Sequence, residues 1–183
     1  MNSPYVDIHH ALVEACRRGE RKAQVELYRL YAKAMFHAAM RVLNNTAEAE
    51  DILQEAFLDA FRKIDSFKGE SSFGAWLKRI VVNKAINQLK KRKLQWTEFD
   101  HERYDAHEEE AIDEEAHQWQ IARLHEAIQQ LPDGFRTVLS LYLLEDYSHK
   151  EIAALLGITE STSKSQLNRA KAKLREMLHQ NER

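Results

Sequence analysis

Two polar segments of this 183-residue chain carry residue types that bind nucleic acid. Within residues 78–93, seven basic residues occur without an acidic one. Cations neutralise phosphates, whereas an asparagine amide can pair with a base edge, so their mixture favours reading of a sequence over nonspecific attachment. A solvated helix end explains the lysine run taken alone. On a helical wheel, a broad apolar arc lies opposite an outward stripe that comprises Arg79, Asn83, Asn87 and Lys90.

The loop at residues 67–73 precedes this helix and is polar, with a phenylalanine at each end. A short loop of this kind would suit a pocket for an unstacked base. Phe73 and Trp76 are also spaced three residues apart, and aromatic residues at helical spacing more often belong to a core than to a stacking platform.

The second nucleic-acid candidate lies near the C-terminus and has the pattern of a helix-turn-helix. Ser148 and Glu151 have the spacing of a capping box, Gly157 suits a tight turn, and Thr159 can cap the helix that follows. Such a helix pair occurs in any helical bundle, but here the outward face is polar and basic and could enter a major groove. That face comprises Ser161, Thr162, Ser165, Asn168, Arg169 and Lys173, with Lys164 and Lys171 at its flanks.

A third surface is predicted on the helix that follows Thr46. Its apolar face comprises Leu53, Ala56, Phe57, Ala60, Phe61 and Ile64, and its opposite face comprises Asp51, Glu55, Leu58 and Arg62. A single exposed leucine is usually unremarkable, but one with carboxylates three and seven residues before it is a plausible docking point for a basic partner.

The elements that position these residues are predicted to be helices throughout. The chain has only five glycines and two prolines, and no strand-like alternation stands out. Glycines should mark the breaks. We place Gly19 before a helix from about Arg21 to Leu43, Gly69 and Gly74 in a loop, and Gly134 and Gly157 in turns between helices.

Charge is segregated along the chain. The net charge is −2, yet residues 96–117 hold ten acidic residues and one basic residue, which leaves 26 bases and 19 acids elsewhere. The acidic segment is typical of a solvated linker, although it could also repel DNA from an unproductive path. We therefore predict an all-α protein with two small domains, at 1–95 and 116–183, joined by a flexible acidic linker at 96–115.

Several functions are not expected. His101 and His107 do not have a metal-ligand spacing, and Cys16 is the only cysteine, so we expect no metal site and no disulfide. There is no zinc-protease motif, glycine-rich phosphate loop or nucleophile constellation, so we expect no enzyme, cofactor or small-molecule substrate. The N-terminus has no leader pattern and no apolar stretch reaches about 20 residues, so we expect a cytoplasmic chain without membrane insertion.

Together, these motifs resemble those of a known family over nearly the full length of the chain. The order and separation of the motifs resemble the extracytoplasmic-function (ECF) sigma factors, the smallest promoter-recognition subunits of bacterial RNA polymerase. The segment at residues 49–57, AEDILQEAF, is similar to the one that docks on core polymerase. Residues 67–83 resemble the loop and helix that melt and read the −10 element, and residues 148–178 resemble the −35 reader.

The resemblance implies two helical domains, sigma region 2 and sigma region 4, and roles for individual residues. Polymerase contacts are expected from Asp51, Gln54, Glu55, Leu58 and Arg62. Contacts to −10 DNA are expected from Phe67, Lys68, Gly69, Glu70, Ser71, Ser72, Arg79, Asn83, Lys84, Asn87 and Lys90. Contacts to −35 DNA are expected from Ser161, Thr162, Lys164, Ser165, Asn168, Arg169, Lys171 and Lys173. The implied partners are core RNA polymerase, promoter DNA and an anti-sigma factor.

The chain departs from the family at two points. Ser163 stands where the family usually carries a core valine, so we expect a cost in packing or a small shift of the helix. Gln166 and Asn168 replace residues that are commonly basic or aromatic. A stand-alone helix-turn-helix regulator is the alternative function, but it gives no role to the stripe at residues 51–62 or to the loop and helix at residues 67–83.

Overall fold

The chain forms two compact units, residues 1–92 and residues 93–183. The computed structural model describes residues 8–91 and 123–180, the last two by backbone alone. Within these ranges every regular element is helical, which confirms the predicted all-α class. The predicted acidic linker, with His101 and His107, lies outside the described residues.

The N-terminal unit packs four α-helices around one apolar core. They are α1 (His10–Arg17), α2 (Arg21–Leu43), α3 (Thr46–Arg62) and α4 (Phe73–Lys91), with a 3₁₀ turn at Ile64–Ser66 between α3 and α4. Helices α2, α3 and α4 pack pairwise, while α1 packs on α2 and on the 3₁₀ turn. The predicted apolar arc of α4 is fully buried and comprises Leu77, Val81, Val82, Ala85, Ile86 and Leu89.

Helix boundaries in this unit follow local chemistry. Helix α2 ends at Asn44, which adopts the left-handed conformation with φ of 50°. Asn45 then caps α3, because its side chain accepts a hydrogen bond from the Glu48 amide at 3.0 Å. The prediction that Gly74 lies in a loop is wrong, since it is the second residue of α4. A Cβ atom there would come within 2.7 Å of Cε1 of Tyr31, so glycine allows α2 and α4 to approach.

The C-terminal unit contains α5 (123–130), α6 (Asp133–Leu143), α7 (His149–Leu156) and α8 (Glu160–Gln180). The predicted capping box is present: Ser148 accepts from the Glu151 amide while Glu151 Oε2 accepts from the Ser148 amide at 2.9 Å. Gly157 ends α7 with φ of 72°, as predicted for the turn. Gly134, in contrast, lies in the first turn of α6 and not in a turn between helices.

Helix α8 packs against both α6 and α7. Leu167, Ala170 and Leu174 of its inner face are buried, as predicted, and Leu178 is half-buried. None of the helices in the described parts of the chain is long and apolar enough to cross a membrane.

Candidate nucleic-acid interfaces

The outward stripe of α4 is exposed as the helical wheel predicts. Arg79, Asn83, Asn87 and Lys90 all lie on the solvent side, opposite the buried arc. The arc holds this face outward, because a rotation of α4 about its axis would bring charged and amide groups into the core. Two amides and two cations therefore line one face of a helix that is firmly packed on α2 and α3.

The loop before α4, residues 67–72, has buried ends and an exposed centre. Phe67 is 5% exposed, and its ring meets the buried Phe73 edge-to-face at 5.8 Å between ring centroids. Trp76 is half-buried and contacts both rings. The aromatic residues thus anchor the loop in the core, while the exposed part comprises Lys68, Gly69, Glu70 and Ser71.

Gly69 and Ser72 shape this loop. Gly69 has φ of 73°, a conformation that side-chain-bearing residues rarely adopt, so glycine permits the bend. Ser72 is half-buried, and its hydroxyl accepts a hydrogen bond from the Ala75 amide at 3.1 Å in the first turn of α4. The loop therefore leads directly into the helix that carries the outward stripe.

Lys84 lies apart from the outward stripe and joins α4 to α3. Its Nζ atom lies 2.9 Å from Oδ2 of Asp59 and 3.1 Å from Oε2 of Glu55. The hydrogen bond with Asp59, and then that with Glu55, raise the pKa of Lys84, and the same hydrogen bond lowers the pKa of Asp59. Lys84 thus contacts a member of the predicted polymerase surface.

The predicted stripe on α3 is exposed along its whole length. Asp51, Gln54, Glu55 and Arg62 all lie on the solvent side, and Leu58 is 55% exposed. Phe57 beside it is buried against Tyr28 of α2 with ring centroids 4.7 Å apart. The structure therefore places an apolar side chain among acidic and polar ones on an accessible helix face.

The helix-turn-helix presents a second polar face at the start of α8. Thr159 caps the helix by accepting a hydrogen bond from the Thr162 amide at 3.0 Å. The exposed residues of the predicted face are Ser161, Lys164, Ser165, Asn168 and Lys173, and the half-buried ones are Thr162, Arg169 and Lys171. All eight predicted residues are thus at least partly accessible.

Ser163 is completely buried, as expected for the position, but it has a polar partner. Its hydroxyl forms a hydrogen bond with Nδ1 of His149 at 2.9 Å, across the turn between α7 and α8. The His149 ring stacks on Tyr142 of α6, with centroids 4.4 Å apart and planes 18° apart. Three helices therefore meet at one histidine. The buried Gln166 Oε1 nearby in sequence has no hydrogen-bond partner among the described residues.

Sequence reasoning missed three residues at these surfaces. The sequence patterns indicate no role for His149, which contacts Ser163, or for Asp59, which contacts Lys84. Arg17 of α1 donates from Nη2 to the carbonyl oxygen of Phe67, at the start of the loop before α4. Glu55 and Asp59 are four residues apart and so lie on the same side of α3, which is a sequence signal that one cation could contact both carboxylates. No pattern of neighbouring residues in the sequence indicates the contacts of Arg17 and His149, whose partners lie 50 and 14 positions away.

The described residues contain no group of three or more histidine, cysteine, aspartate or glutamate side chains that could hold a metal ion. Cys16 is buried, and burial followed by the nearby Glu20 carboxylate raises the pKa of its thiol. A thiol in such surroundings is poorly reactive.

Comparison with known proteins finds the same two-part organisation. Residues 27–95 match the family described as Sigma-70 region 2, and residues 121–174 match Sigma-70, region 4. The chain is 32% identical over 174 residues to RNA polymerase sigma-H factor of Pseudomonas aeruginosa, covering 87% of this chain and 88% of that protein. It is 30% identical to ECF RNA polymerase sigma factor SigW of Bacillus subtilis over 176 residues, covering 91% and 94%.

A solved structure is similar over most of the chain. CnrH, whose structure was solved in complex with the cytosolic domain of CnrY, superposes with a TM-score of 0.54 at 25% sequence identity. The match covers 94% of this chain and 98% of that one.

Proposed function

The chain belongs to the ECF sigma factors, which bind bacterial core RNA polymerase and direct it to promoters, and from this premise we propose a role for each exposed surface. Sigma factors are not enzymes, and we propose that this chain acts by binding alone, in the cytoplasm. The observation that carries the proposal is that each unit presents an exposed polar and basic helix face opposite a packed core.

The N-terminal unit captures the −10 element. Unstacked bases meet the exposed centre of the loop, residues 68–71, and the amides of Asn83 and Asn87, while Arg79 and Lys90 hold phosphates. Capture of unpaired bases makes melting favourable because it removes the product of melting. Phe67 supports this surface from the core, and Lys84 holds α4 against α3, so both contribute less by direct contact.

The stripe on α3 docks on core polymerase. Leu58 is the apolar centre, and Asp51 and Glu55 give the rim a charge that selects a basic partner. Gln54 and Arg62 extend the same exposed face.

The start of α8 reads the −35 duplex. Lys164, Lys171 and Lys173 approach phosphates, and Asn168 and Arg169 reach base edges in the major groove. Ser161, Thr162 and Ser165 complete the polar face.

We also propose a protein antagonist that covers these surfaces. CnrH is held by the cytosolic domain of another protein, and an equivalent anti-sigma partner would prevent access of this chain to polymerase.

In vitro transcription tests the proposal. Purified chain, bacterial core polymerase and genomic fragments should yield discrete start sites that require both proteins. Specific duplex binding by the chain alone, without transcripts or polymerase binding, would instead support a conventional helix-turn-helix regulator.

Single substitutions then separate the surfaces on a promoter found in this way. Asn83→Ala should impair open-complex formation and leave polymerase binding intact. Arg169→Ala should weaken transcription from −35-dependent promoters, with Arg175→Ala, an exposed arginine farther along α8, as the control. Leu58→Asp should weaken polymerase binding, with Leu30→Asp, another exposed leucine, as its control. Loss of polymerase binding in the Asn83 variant would refute the assigned role of that residue.

A further inference from the structure

The loop at residues 67–72, called the recognition loop from here on, is supported by a side chain of the first helix, α1. Arg17, the last residue of α1, donates through Nη2 to the carbonyl oxygen of Phe67. The two residues are 50 positions apart in sequence. A carbonyl at the start of a loop has no helical partner of its own, so this bond fixes the direction in which the exposed loop leaves the core.

The Arg17 guanidinium is itself held in place. Its Nη1 atom lies 2.6 Å from Oε1 of Glu14, one helical turn earlier on α1. The side chain is only 30% exposed, so the charge-assisted contacts are partly protected from water. The planar guanidinium can serve the carboxylate and the carbonyl together, which a lysine ammonium at this position would do less well.

A cavity of about 80 Å³ lies at this junction of α1 and the loop. It is lined by His10, Val13, Glu14, Arg17, Phe67, Lys68 and Gly69. Helix α1 and the first half of the recognition loop therefore both line this recess. A displacement of the Phe67 carbonyl would change the shape of the recess and the course of Lys68 and Gly69 together.

We propose that Arg17 is a positioning residue for −10 recognition, which acts through the Phe67 carbonyl to hold the loop in its base-binding conformation before DNA arrives. This inference rests on the proposed function of the loop. Without the hydrogen bond, the loop samples more conformations, because Gly69 is free to adopt many backbone angles. The entropy cost of ordering the loop is then paid when DNA binds, which weakens capture of the −10 bases. Arg17 itself need not touch the promoter.

Arg17→Met tests this role because it retains the aliphatic stem and removes every donor. Arg18→Met is the matched control: Arg18 is the next residue, its side chain is 64% exposed, and it pairs with the nearby Glu20 at 2.9 Å. Both variants are assembled with core polymerase and compared on the mapped promoter and on templates that carry each of the four bases at single −10 positions.

The expected result for Arg17→Met is a fall of about tenfold in open-complex formation, comparable with the loss of one hydrogen bond to a charged group. Discrimination among bases at the −10 position should fall with it, while polymerase binding stays unchanged. Arg17→Lys should restore part of both losses, and Arg18→Met should behave as the unmodified protein. Amide hydrogen exchange of Lys68 and Gly69 should become faster in Arg17→Met.

Equal behaviour of Arg17→Met and Arg18→Met would overturn the positioning role, as would a uniform loss on all templates with base discrimination retained. Asn83→Ala, measured in parallel, separates this outcome from failure of the proposed function. If Asn83→Ala impairs open complexes and Arg17→Met does not, only the role of Arg17 is wrong. If neither substitution affects them, the assignment of −10 recognition to this surface is wrong. If Arg17→Met loses its helical structure, Arg17→Lys replaces it, with Arg18→Lys as the control. Faster amide exchange of Lys68 and Gly69 in Arg17→Lys than in Arg18→Lys would support the positioning role, and equal exchange would overturn it.

Discussion

The hydrogen bond between His149 and Ser163 gives a quantitative prediction for the C-terminal unit. Ser163 is fully buried, and its hydroxyl meets His149 Nδ1 at 2.9 Å. His149→Phe keeps an aromatic ring against Tyr142 and removes the ring nitrogens. The Ser163 hydroxyl then loses this partner and can turn only to a less well placed acceptor such as a carbonyl of its own helix. We expect the free energy of unfolding of this unit to fall by about 1–2 kcal/mol.

The double variant His149→Phe with Ser163→Val should recover most of this loss. Removing one partner of a buried hydrogen bond leaves the other partner unsatisfied, which costs more than replacing both partners with apolar groups. We expect a stability within about 0.5 kcal/mol of the unmodified protein, and the single variant Ser163→Val completes the double-mutant cycle that gives the coupling energy of the two sites.

Native-state amide hydrogen exchange in α8 of the full chain measures this, because it reports the C-terminal unit separately from the N-terminal one. His125→Phe, at an exposed histidine of α5, is the control and should leave α8 protection unchanged. Additive effects of the two substitutions, or a double variant as unstable as His149→Phe, would refute the reasoning.

Three further predictions concern charge and backbone. Burial and two nearby lysines lower the pKa of His149 from its ordinary 6.5, so protonation favours the unfolded state. The free energy of unfolding of the C-terminal unit should therefore fall as the pH drops below about 6.5. Amide exchange corrected for intrinsic rates measures this fall, which should be absent in His149→Phe. Lys84→Met removes the ion pairs with Asp59 and Glu55 and should cost the N-terminal unit about 1 kcal/mol at pH 7, measured by exchange in α3 and α4. The lowered pKa of Asp59 in the folded state keeps its carboxylate charged and paired with Lys84 down to low pH. The destabilisation by Lys84→Met should therefore disappear as the pH falls below 3.8 and through the lowered pKa of Asp59. Gly157→Ala should destabilise α7 and α8 by about 1 kcal/mol in the same assay, through its left-handed φ alone, since a Cβ there meets nothing within 4 Å.

Much of the fold was predictable because it depends on local periodicity and capping. The buried arc and outward stripe of α4, the exposed Leu58 on α3, and the capping box at Ser148 all follow from residues within a few turns of one another. Chain order and spacing of these motifs also identify the sigma-factor family. The boundaries of the predicted linker and the contacts to DNA and polymerase stay predictions.

Glycine positions show where sequence patterns stop being sufficient. Gly74 and Gly157 look equivalent as helix breakers in the sequence, yet one lies inside α4 and the other ends α7. Gly157 is required by its own backbone angle, whereas Gly74 is required by the ring of Tyr31, a residue on another helix. A local pattern can indicate the first requirement and contains no information about the second.

The sequence by itself determined the helices, their buried faces and the residue types on their outward faces. Only the tertiary structure decided which polar side chains contact a neighbouring element: Arg17 the Phe67 carbonyl, Lys84 Asp59, and His149 Ser163. The physical reason is that amphipathic periodicity fixes the orientation of each helix about its own axis. Contacts between residues 14 to 50 positions apart depend on how the helices pack, which no single segment specifies.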